Sequence, residues 1–225
     1  LDVLGKRPNG YHDVRMVMQT IYLYDQIIME KKKEPGIEIS TNLFYLPVNE
    51  TNLAYRATRL LMDEFDIRTG VKISLTKHIP VAAGMAGGSS NAAAVLYGMN
   101  RMYGLGLSMD ELMERGVTLG ADVPYCLMGG TALVEGIGEQ VIPVPQMRTG
   151  AFAILKPEWG VSTAAAFAAY DSGIPADRPD PYRVIDCLMK GKLKSVSPYM
   201  RNLLEQSADR YPEISELRRR LLKHG

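Results

Sequence analysis

The order of its segments predicts that this 225-residue chain is an α+β protein whose first half pairs a sheet layer with a helix layer. Three observations carry the prediction. Strand-forming segments are bunched near the start, and helices and strands then mix without the regular spacing of a βαβ repeat. The length suits one large domain or two small ones with a sizeable core. No internal repeat or low-complexity segment breaks the pattern. Composition agrees: 46% hydrophobic and 23% charged residues are ordinary for a soluble globular chain. The net charge of +1 gives no global field for nucleic acid or an anionic membrane surface, so neither is an expected partner.

Each element has its own local signal. LDVLG (1–5) reads as strand and KRPNG (6–10) as a turn. VRMVMQTIYLYDQIIME (14–30) is rich in β-branched, aromatic and apolar residues and reads as two strands with a kink near Asp25. KKKEPG (31–36) is a turn, its lysines a solvated run, and IEIS (37–40) alternates as a third strand. NLAYRATRLLMDEF (52–65) has helix spacing at Leu53, Ala57, Leu60 and Leu61. VKISLTK (71–77) alternates Val71, Ile73 and Leu75 inward. NAAAVLYGMNRMYG (91–104) is a buried helix of small residues, and Ser108 with Glu111 makes a capping box for a helix to about Leu119. GGTALVEGIGEQVIPV (129–144) reads as two strands about a glycine-rich turn, and AFAILKP (151–157) as a buried strand. Ser162 or Thr163 caps a helix over 164–170, 172–181 is a proline-rich loop, and the rest to His224 is helical with a last stripe of Leu217, Leu221 and Leu222.

Cys126 and Cys187 are far apart and match no metal or redox spacing, so both are expected to be reduced core residues, as in cytoplasm. The histidines His12, His78 and His224 form no zinc-type pair, and no metal-ligating residue is assigned. No apolar run approaches the ~20 residues that span a bilayer, and no signal peptide is visible.

Three stretches carry chemistry. PVAAGMAGGSSNAAA (80–94) puts Gly84, Gly87 and Gly88 directly before a helix. Glycines let backbone approach a ligand, and free N–H groups with the positive end of the helix dipole make an anion site. Ser89 and Ser90 add hydroxyls, and either suits the N-cap. The loop matches neither a Walker A nor a dinucleotide fingerprint, so it is a phosphate cradle of another type or a flexible loop with a serine cap. In TLGADVPYCL (118–127), Asp122 is either a helix cap or a carboxylate kept partly from water, able to take the proton of an attacking hydroxyl. In PNGYHDV (8–14), Tyr11 can stack on a flat base and His12 can bond its edge, or the pair is plain surface.

Together GKRPNGYHDV, NETNLAYRATRLL, PVAAGMAGGSSNAAAVLYGMN, LGLSMDEL and LGADVPYCLMGGTALVEGIGE resemble the 4-diphosphocytidyl-2-C-methyl-D-erythritol kinases. These form one family of the galactose, homoserine, mevalonate and phosphomevalonate kinase superfamily. The resemblance implies a ribosomal protein S5 domain 2-like N-terminal domain over 1–146 and a partial α/β C-terminal domain over 147–225. It implies transfer of the γ-phosphoryl of ATP, with Mg2+, to the 2-hydroxyl of a cytidine diphosphate-linked methylerythritol, in the cytoplasm, by a monomer or homodimer.

Residue by residue, the resemblance assigns Pro80, Ala82, Ala83, Gly84, Met85, Ala86, Gly87, Gly88, Ser89, Ser90 and Asn91 to the ATP phosphates. Asn52, Leu53 and Lys77 go to the adenine and Asp122 to catalysis. Tyr11, His12 and Phe167 go to the cytosine, and Thr163 to the phosphoryl or the alcohol. Ala82 and Ala83 stand where many relatives carry glycine, which is expected to be tolerated if φ stays negative. The family's catalytic lysine would fall before Leu1 and its third motif after Gly225. The chain is therefore expected to be a fragment or a truncated or trimmed kinase, without an edge strand of the N-terminal sheet and most of the C-terminal sheet. Its activity is expected to be impaired, since no internal lysine replaces the missing one. The competing readings are a sister small-alcohol kinase and a catalytically dead nucleotide-binding fragment.

Overall fold

The computed structural model describes residues 1–147, 150–173, 177–191, 195–205 and 212–224. They form an α+β fold with two sheets, and the chain divides into two compact units. One unit holds Thr20–Val81 and Met85–Gly129; the other holds Leu1–Gln19, Ala82–Gly84 and the residues from Gly130 on. The chain thus passes from the first unit to the second and back within the glycine loop.

The first unit is built on β3 (Gln26–Lys32), β4 (Ile37–Thr41) and β5 (Gly70–Thr76), in the order β3-β5-β4. β5 is central, antiparallel to β3 and parallel to β4. Its alternation is as expected: Val71, Ile73 and Leu75 are buried. Helix α1 (Leu53–Glu64) starts at Asn52, whose Oδ1 accepts from Ala54 N–H at 2.9 Å. Helix α2 (Gly87–Tyr103) presents Ala92, Ala93, Val95, Leu96 and Met99 to the core. It lies so close to β3 that a Cβ on Gly98 would stand 2.6 Å from the Met29 sulfur. Helix α3 (Met109–Leu119) carries the expected capping box, with Ser108 and Glu111 reciprocally bonded. Helix α4 (Val123–Met128) packs on α3 where Gly116 leaves room for Val123. One core joins Leu61, Ile73, Leu96, Met99, Leu112 and Val123.

The second unit has an antiparallel sheet in the order β1 (Asp2–Lys6), β2 (His12–Gln19), β6 (Thr131–Gly136) and β7 (Gln140–Pro143). The β1–β2 hairpin turns at Gly10, with φ of +87°. Helices α5 (Thr163–Asp171), α6 (Pro181–Met189) and α7 (Pro212–His224) come after the sheet in the chain. Cys187 and Leu188 of α6 pack with Val196 against Val17 of β2. Both cysteines are free. No described helix is long and apolar enough to cross a membrane.

Three expectations need correction. The break at 20–25 is not a kink in a strand pair: β2 and β3 belong to different sheets. Lys31 and Lys32 lie in β3, so the turn is shorter. The segment 151–157 is not a buried strand; Phe152, Ile154 and Leu155 are 56%, 46% and 51% exposed, because no described strand lies beside them to complete a ladder. The end of the expected helical tail is seen as α7, on which Leu221 and Leu222 are exposed. Residues 174–176 of the expected loop, and 192–194 and 206–211 of the expected helical tail, lie outside the described residues.

Candidate active site

The glycine loop enters α2 earlier than the alanine run suggests. The helix begins at Gly87, with Ala86 as N-cap in the left-handed region at φ of +51°. Ala86 has no acceptor side chain, and no acidic residue stands in the first turn. Neither serine is the cap. Ser90 is spent inside the helix, its hydroxyl donating to Gly87 O at 2.9 Å. The Ser89 hydroxyl makes no hydrogen bond among the described residues. The first-turn N–H groups therefore face outward without a side-chain acceptor, beside the positive end of a 17-residue helix. Phosphate oxygens fit this chemistry.

The loop's backbone is unusual. Gly84 and Ala82 have φ of +66° and +53°, so the condition under which alanine would be tolerated without strain is not met at Ala82. Pro80, Ala83 and Met85 are part-buried. The Ala82 methyl sits over Gly160, where a Cβ would stand 2.6 Å away.

Beneath the helix entrance lies a buried network that sequence reasoning missed. Asp25, with its side chain 1% exposed, pairs with the Lys77 ammonium. It also accepts from Asn91 Nδ2 at 2.8 Å, His78 N–H at 2.7 Å and Ile79 N–H at 2.8 Å. Lys77 Nζ donates on to Asn91 Oδ1 at 3.0 Å. A Cβ on Gly87 would stand 2.9 Å from Ile79 Cγ2 and 3.2 Å from Lys77 Nζ, so Gly87 is the residue that lets this network close. The only signal in the sequence was a lone acid between two strand-forming runs.

Of the residues assigned to adenine, Lys77 meets Asn91 of the phosphate loop in this network. The Asn52 side chain is taken up by Ala54 N–H and by Pro47 O, to which it donates at 2.7 Å. The Lys77 backbone is taken up at both polar atoms by the Asn42 amide. Leu53 lies 3.5 Å from the Cβ position of Gly88.

Asp122 sits at the start of α4, part-buried, and its side chain makes no cap bond. Among the described residues no donor reaches its carboxylate. Burial pushes its pKa above the usual carboxylate value. Cys126, one turn on, is pushed up to about 12 by burial and then by the Asp122 charge, so it is a thiol rather than a nucleophile. Gly120, two residues before Asp122, brings this loop to α2: its Cβ position is 3.7 Å from Ser89 Oγ. The unpaired acid's loop and the uncapped helix end therefore meet within one unit.

In the other unit, Tyr11 is 58% exposed at the hairpin turn, and His12 is buried. Phe167 stacks on the His12 ring itself, with centroids 4.6 Å apart and planes 15° apart. Thr163 is exposed, one helical turn before Phe167 on α5. Two further residues join them. His12 Nε2 lies 2.7 Å from Asp171 Oδ1, and Lys6 Nζ donates to Asp171 Oδ2 at 2.5 Å.

Residues 52–130 match the family described as GHMP kinases N terminal domain. A 4-diphosphocytidyl-2-C-methyl-D-erythritol kinase of Lachnospira eligens is 47% identical over 226 aligned residues, covering all of this chain and 78% of that protein. One from Alkaliphilus oremlandii is 44% identical with the same coverage. A crystal structure of 4-(cytidine 5'-diphospho)-2C-methyl-D-erythritol kinase superposes with a TM-score of 0.75 at 30% identity, over 99% of this chain and 78% of that one. An L. major mevalonate kinase shares the fold, with a TM-score of 0.61 at 16% identity over 88% of this chain and 68% of that one. Identity of this order over the whole of this chain and 78% of those proteins leaves one assignment: the chain belongs to the 4-diphosphocytidyl-2-C-methyl-D-erythritol kinase family.

Proposed function

We infer that the chain is a kinase that transfers the γ-phosphoryl of ATP to the 2-hydroxyl of 4-diphosphocytidyl-2-C-methyl-D-erythritol, a step of non-mevalonate isoprenoid synthesis. The observation that carries this reading is the meeting of Ser89, at the open end of α2, with the loop of Asp122. An anion site and a base without a partner are the two things phosphoryl transfer asks of a protein.

The roles are those the family resemblance implies, set against the chemistry the structure leaves free. The first-turn amides of Gly87, Gly88 and Ser89, with the loop Pro80–Asn91 around them, hold ATP phosphate oxygens. The Ser89 hydroxyl adds a donor. Asp122, made more basic by burial, takes the proton of the 2-hydroxyl as its oxygen bonds to phosphorus and ADP leaves. Leu53 is the adenine contact with a side chain free to pack, since the polar atoms of Asn52 and Lys77 are already paired. Tyr11, His12 and Phe167 receive the cytosine, whose stacking and edge contacts contribute binding energy. Thr163 is proposed to touch the phosphoryl or the alcohol. Magnesium would accompany ATP and would neutralise charge on the transferring group. The division at 146/147, a monomer or homodimer, and a cytoplasmic setting are further proposals. Two free cysteines support the last.

The test is a calorimetric titration with 4-diphosphocytidyl-2-C-methyl-D-erythritol, alongside ADP release with ATP and Mg2+. Asp122→Asn should bind the substrate as the parent does and lose turnover by ~10²–10⁴. Tyr11→Ala should lose binding. A folded parent that ignores the cytidine compound, or an Asp122→Asn variant that turns over normally, overturns the reading.

A further inference from the structure

With Tyr11, His12 and Phe167 read as the base site, a reading on which this inference depends, the surroundings of His12 bear on how the site tells one pyrimidine from another. Lys6 and His12 are cross-strand partners in the β1–β2 ladder, so their side chains share a face of the sheet. Phe167 and Asp171 are four residues apart on α5, so they share a face of the helix. Both contacts land on one imidazole. Phe167 covers its face, Tyr170 meets it edge-on at 6.4 Å, and the Asp171 carboxylate takes Nε2. The second carboxylate oxygen takes the Lys6 ammonium. Lys6 first, and then His12, hold the Asp171 carboxyl below the usual range, so it stays an acceptor only.

An acceptor 2.7 Å from Nε2 requires the hydrogen on Nε2. In the neutral ring, Nδ1 then has none and can only accept. Nδ1 has no hydrogen-bond partner among the described residues. No buried side-chain nitrogen or oxygen among them lacks one, so Nδ1 is open rather than sealed. An open, acceptor-only nitrogen suits the 4-amino group of cytosine and opposes the 4-oxo group of uracil, whereas stacking treats the two bases alike.

We propose that Asp171, braced by Lys6, is a positioning residue that fixes the His12 tautomer and thereby selects 4-aminopyrimidine over 4-oxopyrimidine substrates. Its side-chain amide replacement removes the instruction: an Asn side chain can accept from Nε2–H or donate to a bare Nε2, so either tautomer is allowed. A glutamate keeps the instruction.

The experiment compares dissociation constants for the cytidine substrate and its uridine counterpart by calorimetry, with 15N NMR of histidine-labelled protein to read the tautomer. The parent should prefer the cytidine compound roughly 10- to 100-fold, the size of one mispaired buried hydrogen bond. Asp171→Asn should reduce that ratio to within about 3-fold, mostly by losing cytidine affinity, and Asp171→Glu should retain it. A merely structural role would weaken both ligands equally. Lys6→Met, at an exposed position, should lower the ratio by less, and it serves if Asp171→Asn fails to fold. An undiminished ratio in Asp171→Asn, or a parent His12 protonated on Nδ1 and not Nε2, overturns the proposal and leaves the base site standing. A parent that binds neither compound overturns the base site itself, and the tautomer proposal with it.

Discussion

Asp25 and Asp122 lie in the same compact unit, and both are largely withdrawn from water, yet their surroundings drive them in opposite directions. Burial alone would raise the pKa of Asp25, but Lys77, the Ile79 and His78 N–H groups and Asn91 outweigh it, and the carboxyl is held below its usual value. Asp122 feels burial with nothing against it and is pushed up. Donors, then, and not depth, decide which buried acid is a structural anion. The fold spends four donors on the carboxylate that supports the loop and none on the one that heads α4. The unpartnered one is where chemistry remains to be done.

Breaking the supporting network should give the largest effect on stability. Asp25→Ala strands the Lys77 ammonium, whose side chain is 4% exposed, and such a broken buried pair typically costs about 3–5 kcal/mol. Removing both charges in Asp25→Ala/Lys77→Met should recover part of that loss, because no lone ion is then buried. Asp122→Asn should cost nothing and slightly stabilise. Urea denaturation of the parent and the three variants decides the matter, and a destabilised Asp122→Asn would mean that the carboxylate has a structural partner after all.

Changing pH sharpens the same contrast. Asp25 has a lowered folded pKa, so its stabilisation is fully present above the ordinary value of about 3.9 and drains away as pH falls through the lowered one. Asp122 has a raised folded pKa. The folded state holds its proton longer than the unfolded chain, so stability falls as pH rises from the ordinary value through the raised one. The penalty of Asp25→Asn should therefore shrink on acidification below about pH 4, and the gain from Asp122→Asn should vanish there too. Unfolding free energies measured from pH 7 down to 3 give the two curves. Parallel, flat differences for both variants would remove the electrostatic basis of the comparison.

What the sequence disclosed was local. The capping box at Ser108, the alternation of β5, the Asn52 helix start and the glycines before α2 are each written within a few residues. The loop, Asp122 and the Tyr11–His12 pair stood out by residue type, each with a plain structural alternative, and only the resemblance gave them roles. What stayed hidden was built across distance. Asp25 meets Lys77 over 52 positions and Asn91 over 66, and His12 meets Asp171 over 159. The partition of neighbouring strands into two sheets has no local signature either. Apolar richness misled at 151–157, where the hydrophobic pattern of a strand is present but no described partner strand is.

The smallest expected effect asks whether the loop owes its shape to its own residues or to the network under it. Ala82 and Ala86 hold left-handed φ values of +53° and +51°, which cost an L-residue about 1–2 kcal/mol each. Glycine at either position removes that strain but adds freedom to the unfolded chain, worth about 0.4–1 kcal/mol. Ala82→Gly also gives up the methyl contact over Gly160. Each change should thus lie between neutral and about 1.6 kcal/mol stabilising. Gly87→Ala should go the other way, since its Cβ would stand 2.9 Å from Ile79. ATP affinity gives the deciding readout. If the Asp25 network positions the helix end from below, Ala86→Gly should leave ATP binding within about 3-fold of the parent, less than the free energy of a typical neutral hydrogen bond. A larger loss would show that the alanines themselves hold the first-turn amides in place, and that the network supports the fold without shaping the site.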